Sequence, residues 1–228
     1  MSTQQIVTAG GQKFNVEVDC TPDKCPICNH HVDPTFLISS AAHPATRRRL
    51  EFVFRCTRAT CQSLFIAYYI GTNNGAQLNN PERYRLERTA PAVAAPAVVG
   101  QEVSAISPTF VTVYNQALSA EAAGLDQLTG IGLRKALEFL VKDFAISLSP
   151  DKREAIERTQ LGQCIAAYLD DPNLKQCAAR AVWLGNDETH YVRKWEGKDI
   201  SDLKILVRLT LNWAENVILT KRYVSEMS

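Results

Sequence analysis

The sequence has no apolar run approaching the ~20 residues that a membrane-spanning helix needs, so no span is expected and the chain reads as one without a membrane role. It also lacks an excess of either charge. Lys plus Arg is 25 and Asp plus Glu is 24, for a net charge of +1, so no global field draws the protein to nucleic acid or an anionic surface. Any such binding must come from a local patch. No internal repeat is apparent, which excludes a solenoid. Residues 1–11 do not resemble a secretory signal, so a reducing cytoplasm is the expected compartment and disulfides are disfavoured there. What remains is ordinary globular composition, 46% hydrophobic and 21% charged over 228 residues. That is room for two modest domains.

Against this background the cysteines stand out. Two pairs, Cys25-Pro-Ile-Cys28 and Cys56-Thr-Arg-Ala-Thr-Cys61, place two sulfurs on each of two tight turns, which suits one tetrahedral Zn2+ with thiolates at about 2.3 Å. Such a site is closed and structural. Because it leaves no position for water or substrate, a zinc enzyme is the weaker expectation. Two disulfides or free thiols are the alternatives. Cys20, His30, His31 and His43 lie nearby in sequence and each could replace a ligand, but the paired cysteines are complete without them. Cys164 and Cys177 fall in helical patterns and read as small buried hydrophobes.

Residues 14–18 and 50–55 alternate apolar and polar residues and read as strands, the apolar run 64–70 reads as a third, and Tyr84-Arg85-Leu86 as a possible edge strand. This is a zinc-ribbon pattern, in which strands too few to bury a core are held by the metal. Residues 1–11 read as polar and frayed, and residues 33–49 as an irregular excursion ending in Arg47-Arg48-Arg49. With Arg55 and Arg58, that run is expected to form either a phosphate-contacting face or a solvated hairpin loop. Residues 89–100, with Pro91 and Pro96, lack charge and periodicity and read as linker.

Beyond the linker the period changes to that of helices. Ser107-Pro108 starts a helix that stops at Gly124, a second covers residues 131–147, and Ser149-Pro150 and Thr159 open two shorter ones. A further helix is expected from Pro172 to Leu184, stopped by Gly185, and a last one capped by Asp199 or Ser201. The expected fold class is therefore α+β: a small β-rich zinc ribbon over residues 1–88, a linker over 89–104 and an all-α bundle over 105–228.

One junction in the bundle carries chemistry-bearing groups: Gly185-Asn186-Asp187-Glu188-Thr189-His190. These either cap helix ends or form a small site. The order Pro108…Tyr114-x-x-Ala117, Gly132-Leu133-Arg134-Lys135-Ala136-Leu137-Glu138 and Gly185-Asn186-x-x-x-His190, preceded by a cysteine ribbon, resembles the prokaryotic domain-of-unknown-function family 4145. That family is regarded as a branch of the HEPN superfamily of helical domains, and the resemblance covers roughly residues 105–220.

The resemblance implies a helical bundle that forms homodimers. Active HEPN proteins are metal-independent endoribonucleases in which an arginine, a following polar residue and a histidine meet their symmetry mates. Histidine titrates in the range needed to move a proton, and a guanidinium holds phosphate. By this correspondence His190 takes the histidine position and Asn186 the polar one, while the arginine position is held by Gly185. Catalysis would need another arginine. Arg180 is the candidate carried forward, with Arg193 and Arg134 as others, although an intrahelical pair with Glu138 is an alternative use of Arg134. Two functions follow as expectations: a non-catalytic, homodimeric interaction module in nucleic-acid-linked processes such as phage defence, binding RNA or another protein, or a ribonuclease using His190. The missing arginine favours the first.

Overall fold

A computed structural model describes residues 2–7, 11, 13–41, 49–72, 82–188, 191, 194–195 and 197–227. The chain divides into two compact units, Met1–Ala95 and Pro96–Ser228, and is mixed α+β: among the described residues, a six-stranded sheet is followed by seven α-helices. The division falls within the expected linker, but both ends of that stretch are structured.

The first unit contains β1 (Ser2–Val7), β2 (Lys13–Val18), β3 (Thr35–Ala41), β4 (Arg49–Arg55), β5 (Leu64–Gly71) and β6 (Glu82–Ala90), in sheet order β1-β2-β6-β5-β4-β3. Every pairing is antiparallel except β2 with β6. Cα atoms of the two outermost strands, β1 and β3, come within 8 Å of each other, so the sheet curls around its inner face. Alternation along β4 puts Leu50, Phe52 and Phe54 on that face, where they meet Phe65, Ala67 and Tyr69 of β5 and Tyr84 of β6, all buried. The rings interlock: Phe52 and Tyr69 lie 4.9 Å apart and Phe54 and Phe65 5.8 Å apart, a geometry that adds to the burial itself.

Three sequence expectations are corrected here. Residues 2–7 are not frayed but pair with β2 as a hairpin; with Ile6 as the buried side chain, the strand had little alternation to show. Residues 35–41 are a strand, not an irregular excursion. The apolar run Phe36-Leu37-Ile38 hides its period because the register shifts between Phe36 and Ile38, which turns Phe36 towards Phe52 and leaves Ile38 62% exposed. The strand around Tyr84 is longer than expected and central, between β2 and β5, rather than at an edge. Unlike a minimal ribbon, the unit therefore owns a core.

The second unit comprises α1 (Gln101–Ile106), α2 (Pro108–Ala122), α3 (Asp126–Leu148), a 3-10 turn leading into α4 (Arg153–Arg158), α5 (Leu161–Tyr168), α6 (Pro172–Asp187) and α7 (Ile200–Glu226). Helix α3 is the hub. Its buried Leu133, Leu137, Leu140, Val141 and Phe144 face α2, α5, α6 and α7. It begins five residues earlier than periodicity indicated. Gly132 sits inside it because a Cβ there would lie 2.9 Å from the Cβ of Ala117 on α2; the glycine is a close-approach site, not a helix end. Helix α1 lies in the expected linker and buries Val103. Helix α7 starts at a capping box in which Asp199 accepts from Ser201 and Asp202 amides while the Asp202 carboxylate accepts from the Asp199 amide. Among the described residues, no helix is long and apolar enough to cross a membrane.

Candidate metal centre and helical junction

The first cysteine pair lies between β2 and β3 and the second in the turn from β4 to β5. Each turn is shaped by the backbone. The Asn29 amide donates to the Cys25 carbonyl at 2.9 Å, and the Cys61 and Gln62 amides donate to the Arg58 carbonyl at 2.9 and 3.1 Å. The residue following each pair takes a left-handed conformation, Asn29 at φ 60° and Gln62 at φ 50°. The two turns are thus close copies despite spacers of different length. Cys56 is delivered directly by β4, and its amide donates to the Ser63 carbonyl at 3.0 Å.

All four sulfurs lie within 4.8 Å of one another. Cys25 and Cys61 are 3.9 Å apart, as are Cys28 and Cys56. A tetrahedral ion with sulfurs at about 2.3 Å separates them by about 3.8 Å, whereas a disulfide needs about 2.05 Å. The cluster can hold a metal ion. Without one, the thiols do not titrate alike: burial pushes Cys56 up to about 12 and raises Cys25, while hydrogen bonds from Ser63 pull Cys61 down to about 6. Metal and protons compete for these sulfurs, so affinity rises with pH.

The nearby histidines and Cys20 point elsewhere. His30 Nδ1 lies 2.6 Å from the Cys28 carbonyl and 3.2 Å from Arg58 Nη1, and His31 faces Asp23 at 3.8 Å. Cys20 is exposed, and His43 lies outside the described residues. The first turn also grips the chain beyond β6, for the Val93 amide donates to the Pro26 carbonyl at 3.0 Å and Asn29 Nδ2 donates to the Val93 carbonyl at 2.7 Å. Chelation is therefore expected to speed amide exchange at Asn29 and Val93 far more than at Phe52 and Phe65, because the sheet has a buried core of its own beside the metal-bearing turns. Hydrogen–deuterium exchange with and without chelator reads this, and loss of protection across the whole sheet would contradict it.

Arg47 and Arg48 lie outside the described residues. Arg49 opens β4, 3.8 Å from Glu87, whereas Arg58 lies beyond its other end. A seven-residue strand puts them about 20 Å apart at ~3.3 Å per residue.

In the helical unit, α6 does not stop at Leu184 but continues to Asp187. Gly185 is there for space: a Cβ would lie 2.8 Å from Arg134 Cδ and 3.2 Å from Arg134 Cβ. The Arg134 side chain runs through this notch, donates from Nε to Asn186 Oδ1 at 3.0 Å and sits 3.7 Å from Glu138, which Lys142 also approaches at 3.1 Å. Burial lowers the Arg134 pKa somewhat, opposed by Glu138. Both uses of Arg134 weighed from sequence, the intrahelical pair and the reach to the junction, are thus present together. Arg180 is not brought to Asn186; its guanidinium turns back along α6 to Gln176. His190 and Arg193 lie outside the described residues.

Asp187, which the sequence marked only as helix-end polarity, is 6% exposed. Its two oxygens accept from the Lys194 amide at 2.6 Å and the Trp195 amide at 2.9 Å, tying these two residues to the helix end. Charge-assisted bonds of this kind are worth more than neutral ones. Asp187→Ala is expected to destabilise the helical unit by about 2–3 kcal/mol, and Asp187→Asn, which keeps one acceptor, by less. Denaturant titration followed by helical circular dichroism measures both.

Fold and cluster together define an α+β chain of two units, with a candidate four-thiol metal centre in the first and a polar seam between α3 and α6 in the second. Comparison with protein-family models, curated proteins and solved structures yields no match to this chain.

Proposed function

We propose that this protein is a zinc-binding, HEPN-like, homodimeric interaction module that acts without catalysis in nucleic-acid-linked processes such as phage defence, on RNA or together with another protein. The observation that carries the non-catalytic reading is the engagement of Arg134. Its guanidinium bonds Asn186 and neighbours Glu138, so an arginine that reaches the junction is used to clamp α3 to α6. Zinc is supported by sulfur spacings close to those of a tetrahedral thiolate site, and its role would be to fix the two turns.

A second reading keeps one specific observation in its favour. The notch at Gly185 brings an arginine from another helix beside Asn186, four residues before His190, which is where a relocated phosphate clamp would have to be. Cleavage of labelled RNA in excess EDTA by wild type, His190→Ala and Arg134→Ala separates the two. The non-catalytic reading expects no cleavage above background by any of them. Cleavage by wild type that ends in cyclic phosphates and is lost in His190→Ala would overturn it.

A further inference from the structure

We infer that the outer face of strands β4, β5 and β6 is a binding surface for single-stranded nucleic acid, which rests on the nucleic-acid-linked reading above and assigns it a site. The register fixes what this face displays. Arg49, Ile70 and Arg85 form one cross-strand row, Glu51, Tyr68 and Arg88 the next, then Val53, Ile66 and Ala90, and last Arg55 beside Leu64. The alternate residues of the same strands fill the core, so these side chains are committed outward. Ile66, Tyr68 and Ile70 make a half-buried apolar midline, and Arg49, Arg55, Arg85 and Arg88 are exposed around it.

A free face of an antiparallel sheet ordinarily alternates to polar residues. Here it does not. The guanidinium of Arg88 lies over the Tyr68 ring, 3.9 Å from its centroid, which presents a flat cationic and aromatic surface on which a base can stack. The charge is concentrated in this unit: residues 1–95 hold eight Arg and two Lys against seven Asp and Glu, net +3, while residues 96–228 are net −2. Arginine rather than lysine suits phosphate and base planes at once. One of these cations, Arg49, is partly engaged by Glu87 at 3.8 Å, and Glu51 stands on the same face opposite Tyr68. The face is therefore moderately, not uniformly, basic.

The occupant follows from the midline. A duplex could use only the arginine rim, because its base faces are hidden, whereas a single strand offers phosphates to the rim and unpaired bases to Tyr68 and the aliphatic row. Sequence reading missed Arg85 and Arg88 as site residues because the short pattern Tyr84-Arg85-Leu86 was assigned to an edge; its central place in the sheet is what puts them opposite Tyr68 and Arg49.

The test is fluorescence anisotropy of labelled 20-mers of oligo-U and oligo-dT, and of a matched duplex, with the full-length, zinc-loaded protein between 50 and 300 mM KCl. Single strands are expected to bind more tightly than duplex. Arg85→Glu with Arg88→Glu is expected to weaken binding at least tenfold and to flatten the log–log salt slope by about 1.4, two phosphate contacts at ~0.7 each. Tyr68→Ala is expected to weaken binding roughly fivefold or more. All variants are compared at unchanged zinc content and circular dichroism. If wild type binds single strands and the arginine double variant binds equally well, this face is the wrong site while the nucleic-acid reading stands. If wild type binds duplex best, the stacking assignment is overturned. If it binds none of the three, both the face and the reading above it fall.

Discussion

Cys56→Ser is expected to give a chain that purifies with well under one metal ion and whose first unit unfolds at least ~3 kcal/mol more easily, while the helical unit keeps its own transition. The size follows from where Cys56 sits. It is 1% exposed and belongs to the same buried cluster as Phe54 and Phe65, so the variant loses a ligand and also buries a hydroxyl in its place. Structural zinc in peptide sites is bound by roughly 10–16 kcal/mol at neutral pH, far more than a small domain's total stability, but here only part of that is folding energy because the sheet already has a core. Elemental analysis and two-wavelength thermal denaturation read the two effects separately. A variant with full metal content, or one whose first unit melts unchanged, would show that the four sulfurs are not a metal site.

The second large effect is a reversal of sign at Gly185. Replacing a helical glycine by alanine ordinarily stabilises by about 1 kcal/mol. At this position the added methyl would press on the middle of the Arg134 side chain, at 2.8 and 3.2 Å, and displace the guanidinium from Asn186. Gly185→Ala is therefore expected to cost about 1–2 kcal/mol in the wild-type background. In an Arg134→Ala background the 2.8 Å contact with Cδ is gone and only the 3.2 Å contact with Cβ stays, so the same change is expected to be neutral or to stabilise by up to about 1 kcal/mol. The coupling from the double-mutant cycle, about 1 kcal/mol or more, measures the notch itself. Gly185→Arg, which would install the arginine of the resembled family, is expected to cost more than alanine. If Gly185→Ala stabilises the wild type, the glycine is not a spacer for Arg134 and the seam must be reconsidered.

These two sites differ in how far the sequence discloses them. The four cysteines were legible because ligand chemistry imposes a local spacing: each pair lies within one turn, and the chain needs no long-range information to place two sulfurs together. Strands β2 and β4 were legible for a similar reason, since each keeps the two-residue period, and β5 as an unbroken apolar run of strand-forming residues between the second cysteine pair and a polar stretch. Strand β3 was not, because a bulge slips that period by one residue between Phe36 and Ile38. Strand β1 offered little beyond Ile6, since its order comes from pairing with β2. The helices were found wherever a cap or a proline marked an end, as at Pro108, Pro172 and Asp199. Gly124 was read as a stop and does follow the end of α2, but Gly185, read the same way, lies inside α6. Gly132 and Gly185 are contacts between helices, and that meaning exists only once Ala117 and Arg134 are in place. The Arg134–Asn186 bond joins residues 52 positions apart; no local pattern announces it.

The claim on which the rest depends is that Cys25, Cys28, Cys56 and Cys61 together hold one structural zinc. X-ray absorption at the zinc edge of the protein as purified tests it most directly. One zinc per chain is expected, with four sulfur neighbours at about 2.3 Å and no nitrogen or oxygen bound to it. A spectrum with a histidine or oxygen ligand, or a protein that carries no zinc, would contradict it.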